Sequence, residues 1–368
     1  MGAPPVRRRL GRAGLSASSP PLIALGSALL FGLAMPFAKL WLGDMDPWLL
    51  AGLLYLGAGT GLGAQALLRR MRGRPAQETR LARADLPWLA AAIFMGGMAA
   101  PVLLMLGLAL TSGAGGSLLL NLESIATIAI AAVVFREHVG LRIVAGAALI
   151  IAGAVALSWR GDVFSPDPGA LLIMAACIAW GIDNNLTRRI SAADPAQITM
   201  LRGLIAGGVN TGIALAMGAG LPAPSLLAGV LLTGFLGYGV SLVLFVMALR
   251  ELGTARAIAY FSVSPFIGAA AAIPLLGDAL TAQLLLAGAL MGAGVWLSLG
   301  EQHHHLHTHE AHAHSHRHAH DDHHQHTHDE EVPHGEPHSH PHRHEPLTHA
   351  HPHWPDLHHR HGHESKEG

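Results

Sequence analysis

Two sets of residues in this chain could do chemistry. The first centres on Glu123, a lone carboxyl in the apolar stretch 113–135, with Ser117, Asn121, Ser124 and Thr127 close by in sequence. An ionised carboxylate at a bilayer centre costs roughly 2.5–3.5 kcal/mol on insertion scales. Glu123 is therefore expected to face the interior of a helix bundle, as a proton site or a site for a substrate amine. The alternative is a permanently protonated Glu123, bonded to Asn121 or a neighbouring helix as interhelical glue. On a helix, Ser117, Asn121 and Ser124 share one face, and Thr127 lies one turn beyond Glu123. Asp183, Asn184 and Asn185 end the sixth apolar stretch and Arg202 begins the seventh, which places all four near the cytoplasmic surface with Asp183 within reach of Arg202. Transport, an interfacial salt bridge and a snorkelling arginine all fit there. Asn210 is a further candidate for a transport pathway.

The second set is histidine. Of 27 histidines only His138 precedes residue 300. The tail carries His303, His304, His305, His307, His309, His312, His314, His316, His318, His320, His323, His324, His326, His328, His338, His340, His342 and His344, then further histidines to 363. Imidazole ligates Zn, Ni, Co and Cu, and the interspersed carboxylates add ligands, so the expectation is a tail that gathers divalent transition metal, Zn, Ni or Co. Cys177 is the single cysteine, which disfavours a thiolate cage for Cu(I) and excludes an intramolecular disulfide. Repeated prolines and few apolar residues predict disorder in the metal-free tail. Protonated imidazole cannot ligate, so affinity should fall as pH drops towards the free histidine pKa of about 6.5.

The elements that must position these groups are membrane helices. Hydrophobic residues make up 51% of the chain and charged ones 13%, half the roughly one quarter usual in soluble domains. Up to Leu299 there are 19 Lys and Arg against 12 Asp and Glu; from Gly300 onward there are 4 against 12, so the near-neutral total hides two objects. Apolar stretches long enough to cross about 30 Å of hydrocarbon as helix recur at about 21–41, 47–68, 87–109, 113–135, 142–159, 168–187, 197–217, 225–247, 255–276 and 281–299. Helix is expected because an open strand would leave amides unpaired in lipid. The first stretch is too long for a secretory h-region and reads as an uncleaved span.

With the N-terminus inside, sixteen Lys or Arg fall on the cytoplasmic side, and Arg160 and Lys39 outside. By the positive-inside rule, both termini are expected to be cytoplasmic in a cytoplasmic membrane. At a shift of 141 residues Glu137 falls on Asp278, Leu149 on Leu290 and Gly153 on Gly294. At a shift of 149, Phe31-Gly32 and Lys39 fall on Trp180-Gly181 and Arg188. The halves are thus related, and an odd number of spans in each inserts the second in the opposite sense, the inverted-repeat plan of many secondary transporters. The organisation expected is a basic N-terminus (1–20), two five-helix repeats (21–159 and 168–299) and the tail (300–368).

An aromatic-Gly pair in the first helix of each half, an acidic residue after the fourth (Glu137, Asp278) and a Gly-rich fifth together resemble the drug/metabolite transporter superfamily, specifically its EamA-like permeases. The strings SLLLNLES (117–124), AWGIDNNLTRR (179–189) and HEPLTHAHPHWPD (344–356) look like a subgroup with a histidine-rich tail. The resemblance implies an all-α bundle of ten helices around a central cavity, often exporting metabolites or amino acids. One departure is that Pro265 stands where the first half has Ser124. Walker loop, dinucleotide fingerprint and Ser/His/Asp set are missing, so an enzyme or an ATP-driven pump is not expected. The partners expected are the lipid bilayer, a small-molecule substrate and transition-metal ions, with no nucleic acid. A divalent-metal transporter and a membrane-anchored metal buffer or sensor are the alternatives.

Overall fold

In this computed structural model the described residues are 20–73, 81–135, 140–158 and 167–299, together with the backbone of four tail strands, His303–His309, His312–His318, His338–His344 and Leu347–His353, the first paired antiparallel with the fourth and the second with the third. The basic N-terminus, Glu137, His138 and the remaining tail residues lie outside them, as do the side chains of the expected metal ligands; over the four strands the backbone is extended and paired where disorder was expected. Eight helices are long and apolar enough to cross a membrane: α1 (Pro20–Trp41), α2 (Pro47–Met71), α3 (Arg83–Leu110), α4 (Gly113–Val134), α6 (Pro168–Ile190), α7 (Pro195–Ala216), α8 (Pro224–Leu252) and α9 (Arg256–Leu276). Two shorter apolar helices complete the order, α5 (Leu141–Leu157) between α4 and α6, and α10 (Ala282–Ser298) at the end.

Local sequence explains where the helices start. Asp46, Asp167 and Asp194 each precede a proline and accept hydrogen bonds from amides of α2, α6 and α7. Carboxylate caps satisfy the orphan N–H groups, and proline at the first helical position lacks an N–H that would go unpaired anyway. Asp278 acts across the halves: its Oδ2 accepts from Ala114 N–H at 2.6 Å, at the start of α4. The acidic residue after the fourth helix thus has a structural use at this position.

On α1 the leucines point outwards and the alanines inwards. Along α1, Leu25, Leu29, Leu33 and Phe37 are exposed at intervals of four while Ala24, Ala28 and Ala38 are fully buried. Lipid is as apolar as leucine, so helices associate by close backbone approach between small residues. Gly203 and Gly207 of α7 lie against α2 at Gly59, Tyr55 and Leu56, where added Cβ atoms would overlap main chain. Gly208 and Gly212 of the same helix face open space instead, because one residue turns the helix by about 100° away from the packed face. The aromatic-Gly pairs also have a packing reason. A Cβ on Gly32 would lie 2.6 Å from Ser264 O of α9, and one on Gly181 would lie 2.9 Å from the Ala126 main chain of α4. Each first helix therefore seats its glycine on the fourth helix of the other half and turns its aromatic inwards.

Four of the described spans are not regular α-helix, and one of them is α9, interrupted at Ser262 and Val263. α3 contains a π-helical segment, Ile93–Ala99, and α8 contains another, Phe235–Val240. In α4 the helical hydrogen bonding tightens at Leu120 and Asn121, whose amides bond to Ser117 O at 3.2 Å and Leu118 O at 3.1 Å. Around this break Ser117 lies beside Gly268 and Ser124 beside Ser262, both of α9, while Asn121 turns to Leu118 O and to Met291 of α10.

Candidate functional site

The π segment of α3 frees carbonyls in the middle of the bundle. Ala100 N–H bonds to Met95 O, five residues back. The next residue is Pro101, which has no N–H to continue the ladder. The freed acceptors are met by side chains. Gly96 O accepts from Tyr55 Oη–H at 2.6 Å and from Trp180 Nε1–H at 3.1 Å. Asn210 Nδ2 donates to Gly97 O at 3.4 Å and Met98 O at 3.3 Å. Asn210 is therefore committed to backbone repair, which an unsatisfied carbonyl in hydrocarbon requires.

Glu123 lies at mid-length of α4, 9% exposed. Asn184 of α6 donates through Nδ2 to Glu123 Oε1 at 2.8 Å and to Thr127 Oγ1 at 3.2 Å. Asn185 turns away from the carboxyl, donating to Thr127 O at 3.1 Å and to Gly181 O at 2.9 Å. The neighbour expected in sequence, Asn121, is not the partner. Beyond the break in α4 its amide donates to Leu118 O at 2.9 Å and approaches Met291 Sδ at 3.8 Å. Ser124 meets Ser262 of α9 through hydroxyls 2.6 Å apart.

Asp183 and Arg202 form the pair that their spacing suggested, inside the bundle and not at its surface. Arg202 donates through Nη1 to Asp183 Oδ2 at 3.0 Å and through Nη2 to Oδ1 at 2.5 Å. Thr187 Oγ1 donates to Asp183 Oδ1 at 2.9 Å and accepts from Arg202 Nη2 at 2.7 Å. Arg202 is 1% and Asp183 2% exposed, which replaces the interfacial and snorkelling readings. The physical reason is that α6 runs on to Ile190, so Asp183 sits two turns inside the helix. A bidentate guanidinium–carboxylate pair leaves no net charge behind.

A cavity of about 40 Å3 joins these groups, lined in part by Glu123, Asp183, Asn184 and Arg202. Since one water needs roughly 10–15 Å3, it has room for about two to four waters and is too small for an organic solute. A second, smaller cavity also reaches Glu123 and is lined in part by Ser124, Ser262, Ser264 and Pro265. Six aromatic rings complete the first cavity: Phe31, Tyr55, Trp180, Tyr238, Phe245 and Phe261. The sequence reading singled out Phe31 and Trp180 only as halves of aromatic-Gly pairs, and the other four not at all. The available signal was scarcity, because aromatics are only 5% of the chain and a helical position filled by one is a choice over leucine. Among the described residues no group of three His, Cys, Asp or Glu side chains could hold a metal ion.

Comparison with known proteins matches this arrangement to a family. The model described as the EamA-like transporter family matches residues 19–159 and again 167–300. An uncharacterized transporter of Methanothermobacter thermautotrophicus is 29% identical over 177 residues, which are 45% of this chain and 52% of the relative. The chain thus spans about half the length of that curated relative. A protein known from a crystal structure superposes with a TM-score of 0.58 at 20% identity, covering 77% of this chain and 97% of the other, and so shares the fold.

Proposed function

We propose, since the chain belongs to the EamA-like transporter family, that this membrane transporter is a secondary active permease moving a small organic solute across the cytoplasmic membrane. Its two five-helix stretches, α1–α5 and α6–α10, work as inverted repeats in alternating access. The match of one family model to two successive stretches supports the repeat. The shorter α5 and α10 complete ten spans, a mismatch in length that local thinning of the bilayer accommodates at modest cost. Arginine placement supports cytoplasmic termini.

The observation that carries the reading is the position of Glu123. It borders two cavities at mid-bundle, and its hydrogen-bond partner Asn184 comes from the other half. Rocking of one repeat against the other would break and remake that contact. A proton or solute bound to the carboxyl can therefore bias the two conformations, which is the differential interaction that ligand-driven population shift demands.

The histidine tail is, in this reading, a cytoplasmic segment that binds Zn, Ni or Co and regulates the permease. Transport of the metal itself is the lesser alternative, because a metal pathway needs ligands through the membrane and among the described residues no metal-ligating cluster surrounds Glu123. A bare metal buffer would not need spans with a repeat. The test compares secreted metabolites and Ni, Co, Zn and Cu sensitivity in deletion, full-length, tail-less and Glu123→Gln cells. Metabolite flux lost in the deletion and in Glu123→Gln, and kept without the tail, supports the proposal. A metal phenotype alone, requiring both pore and tail, would overturn it.

A further inference from the structure

The composition of the central cavity points to a class of solute. Five of its six rings form a continuous chain. Tyr55 lies 5.5 Å from Tyr238, Tyr238 5.5 Å from Phe31, Phe31 5.3 Å from Phe261, and Phe261 4.8 Å from Phe245, between ring centroids. Trp180 meets Phe31 edge-on at 6.0 Å and 81°. Aromatic faces carry the negative end of the ring quadrupole, so a box of rings attracts a cation and gains nothing from an anion.

The formal charges of the cavity agree. Asp183 and Arg202 cancel within their bidentate pair. Glu123 is the remaining charged residue of the lining, and its recorded partner is the neutral amide of Asn184. The ionised site is therefore complementary to one positive charge. One group in the lining does lack a partner among the described residues: the hydroxyl of Tyr238, a residue 4% exposed. A buried hydroxyl left unpaired in a native structure calls for an explanation. An ammonium group supplies one, since its N–H donors can be shared between a carboxylate and a phenol oxygen.

We propose that the solute bound between these rings and Glu123 is an organic monocation, a primary ammonium on an apolar or aromatic body. This rests on the transport reading above and narrows it. The cavity must widen to admit such a solute, which alternating access requires in any case.

The test uses the full-length protein in lipid nanodiscs at pH 7.5 and titrates it calorimetrically with a size-matched series: phenethylammonium, 2-phenylethanol, phenylacetate and phenylalanine. The expected result is binding of phenethylammonium at least about ten-fold tighter than the neutral, anionic and zwitterionic members, a preference weakened about ten-fold in Glu123→Gln. Tyr238→Phe should lose affinity for the primary ammonium and leave that for benzyltrimethylammonium, which has no N–H, unchanged. Equal affinity across the series, or tighter binding of the anion or zwitterion, overturns the assignment on wild-type protein alone, whether or not Glu123→Gln folds. Proteoliposome flux separates the two layers. Flux of a non-cationic member of the series without cation preference removes the solute class and leaves transport standing. Selective cation binding with no flux removes transport and leaves the class standing.

Discussion

Asn184 of α6 donates its side-chain amide to Glu123 of α4 at 2.8 Å, so one carboxyl in the middle of the bundle is shared between the two halves of the chain. Asn185, one residue on, bonds only to backbone carbonyls. The pair separates function from packing. A hydrogen bond to a charged group contributes about 1.5–3 kcal/mol, so Asn184→Ala is expected to lower the transport rate by about 10- to 100-fold with little loss of fold. Asn185→Ala should instead lower the thermal unfolding temperature and leave the rate per folded molecule near wild type. Initial rates normalised to monodisperse protein check both.

The Asp183–Arg202 pair makes a different prediction. Removing one partner of a buried ion pair strands the other charge and typically costs about 3–5 kcal/mol, whereas replacing both by apolar residues of similar volume is often neutral. Arg202→Met and Asp183→Leu alone should each abolish recovery of monodisperse protein, and the double variant should restore much of it. Equal losses in the single and double variants would contradict a purely charge-balancing pair and move it into the transport pathway.

Helix packing can be tested on α7 with neighbouring glycines. Gly207 lies against the main chain of α2 and Gly208 faces open space. Overpacking a tight interface costs about 1–3 kcal/mol or more, and more where the obstacle is backbone. Gly207→Leu is expected to prevent correct folding, and Gly208→Leu to be tolerated, as read by fluorescence size-exclusion chromatography.

These contrasts mark what the sequence could and could not carry. Hydropathy places the spans because water excludes apolar helices whatever their neighbours, and the Asp-Pro pairs mark helix starts by local chemistry. Glu123 and Arg202 stand out because charge within an apolar stretch is costly. Partners were not legible in the same way. Asn184 belongs to Glu123 only after α6 packs on α4, and Asn121 gives its amide to Leu118 O instead of to Glu123. Gly207 and Gly208 differ only by the face they present. The aromatic lining escaped for a related reason: Tyr238, Phe245 and Phe261 have no shared spacing with Phe31, and converge only when α8 and α9 pack against α1.

For the tail, the sign of the pH dependence follows from ligand protonation. Free histidine titrates near pH 6.5, and only neutral imidazole binds metal, so uptake of Ni or Zn by the full-length protein should be complete above about pH 7.5 and lost progressively below about pH 6. Removing residues 300–368 should abolish the binding and leave solute flux in metal-free buffer unchanged. Equilibrium dialysis at three pH values measures the first, and proteoliposome flux the second.

The central claim is that Glu123 is the group through which solute occupancy acts on the two halves. The most direct measurement is counterflow of phenethylammonium in proteoliposomes carrying wild type or Glu123→Gln, with thermal unfolding as the control for fold. The account predicts counterflow by wild type and at least about a hundred-fold loss in Glu123→Gln at an unchanged unfolding temperature, the scale of losing a charge-assisted contact. Full counterflow by a folded Glu123→Gln would contradict it.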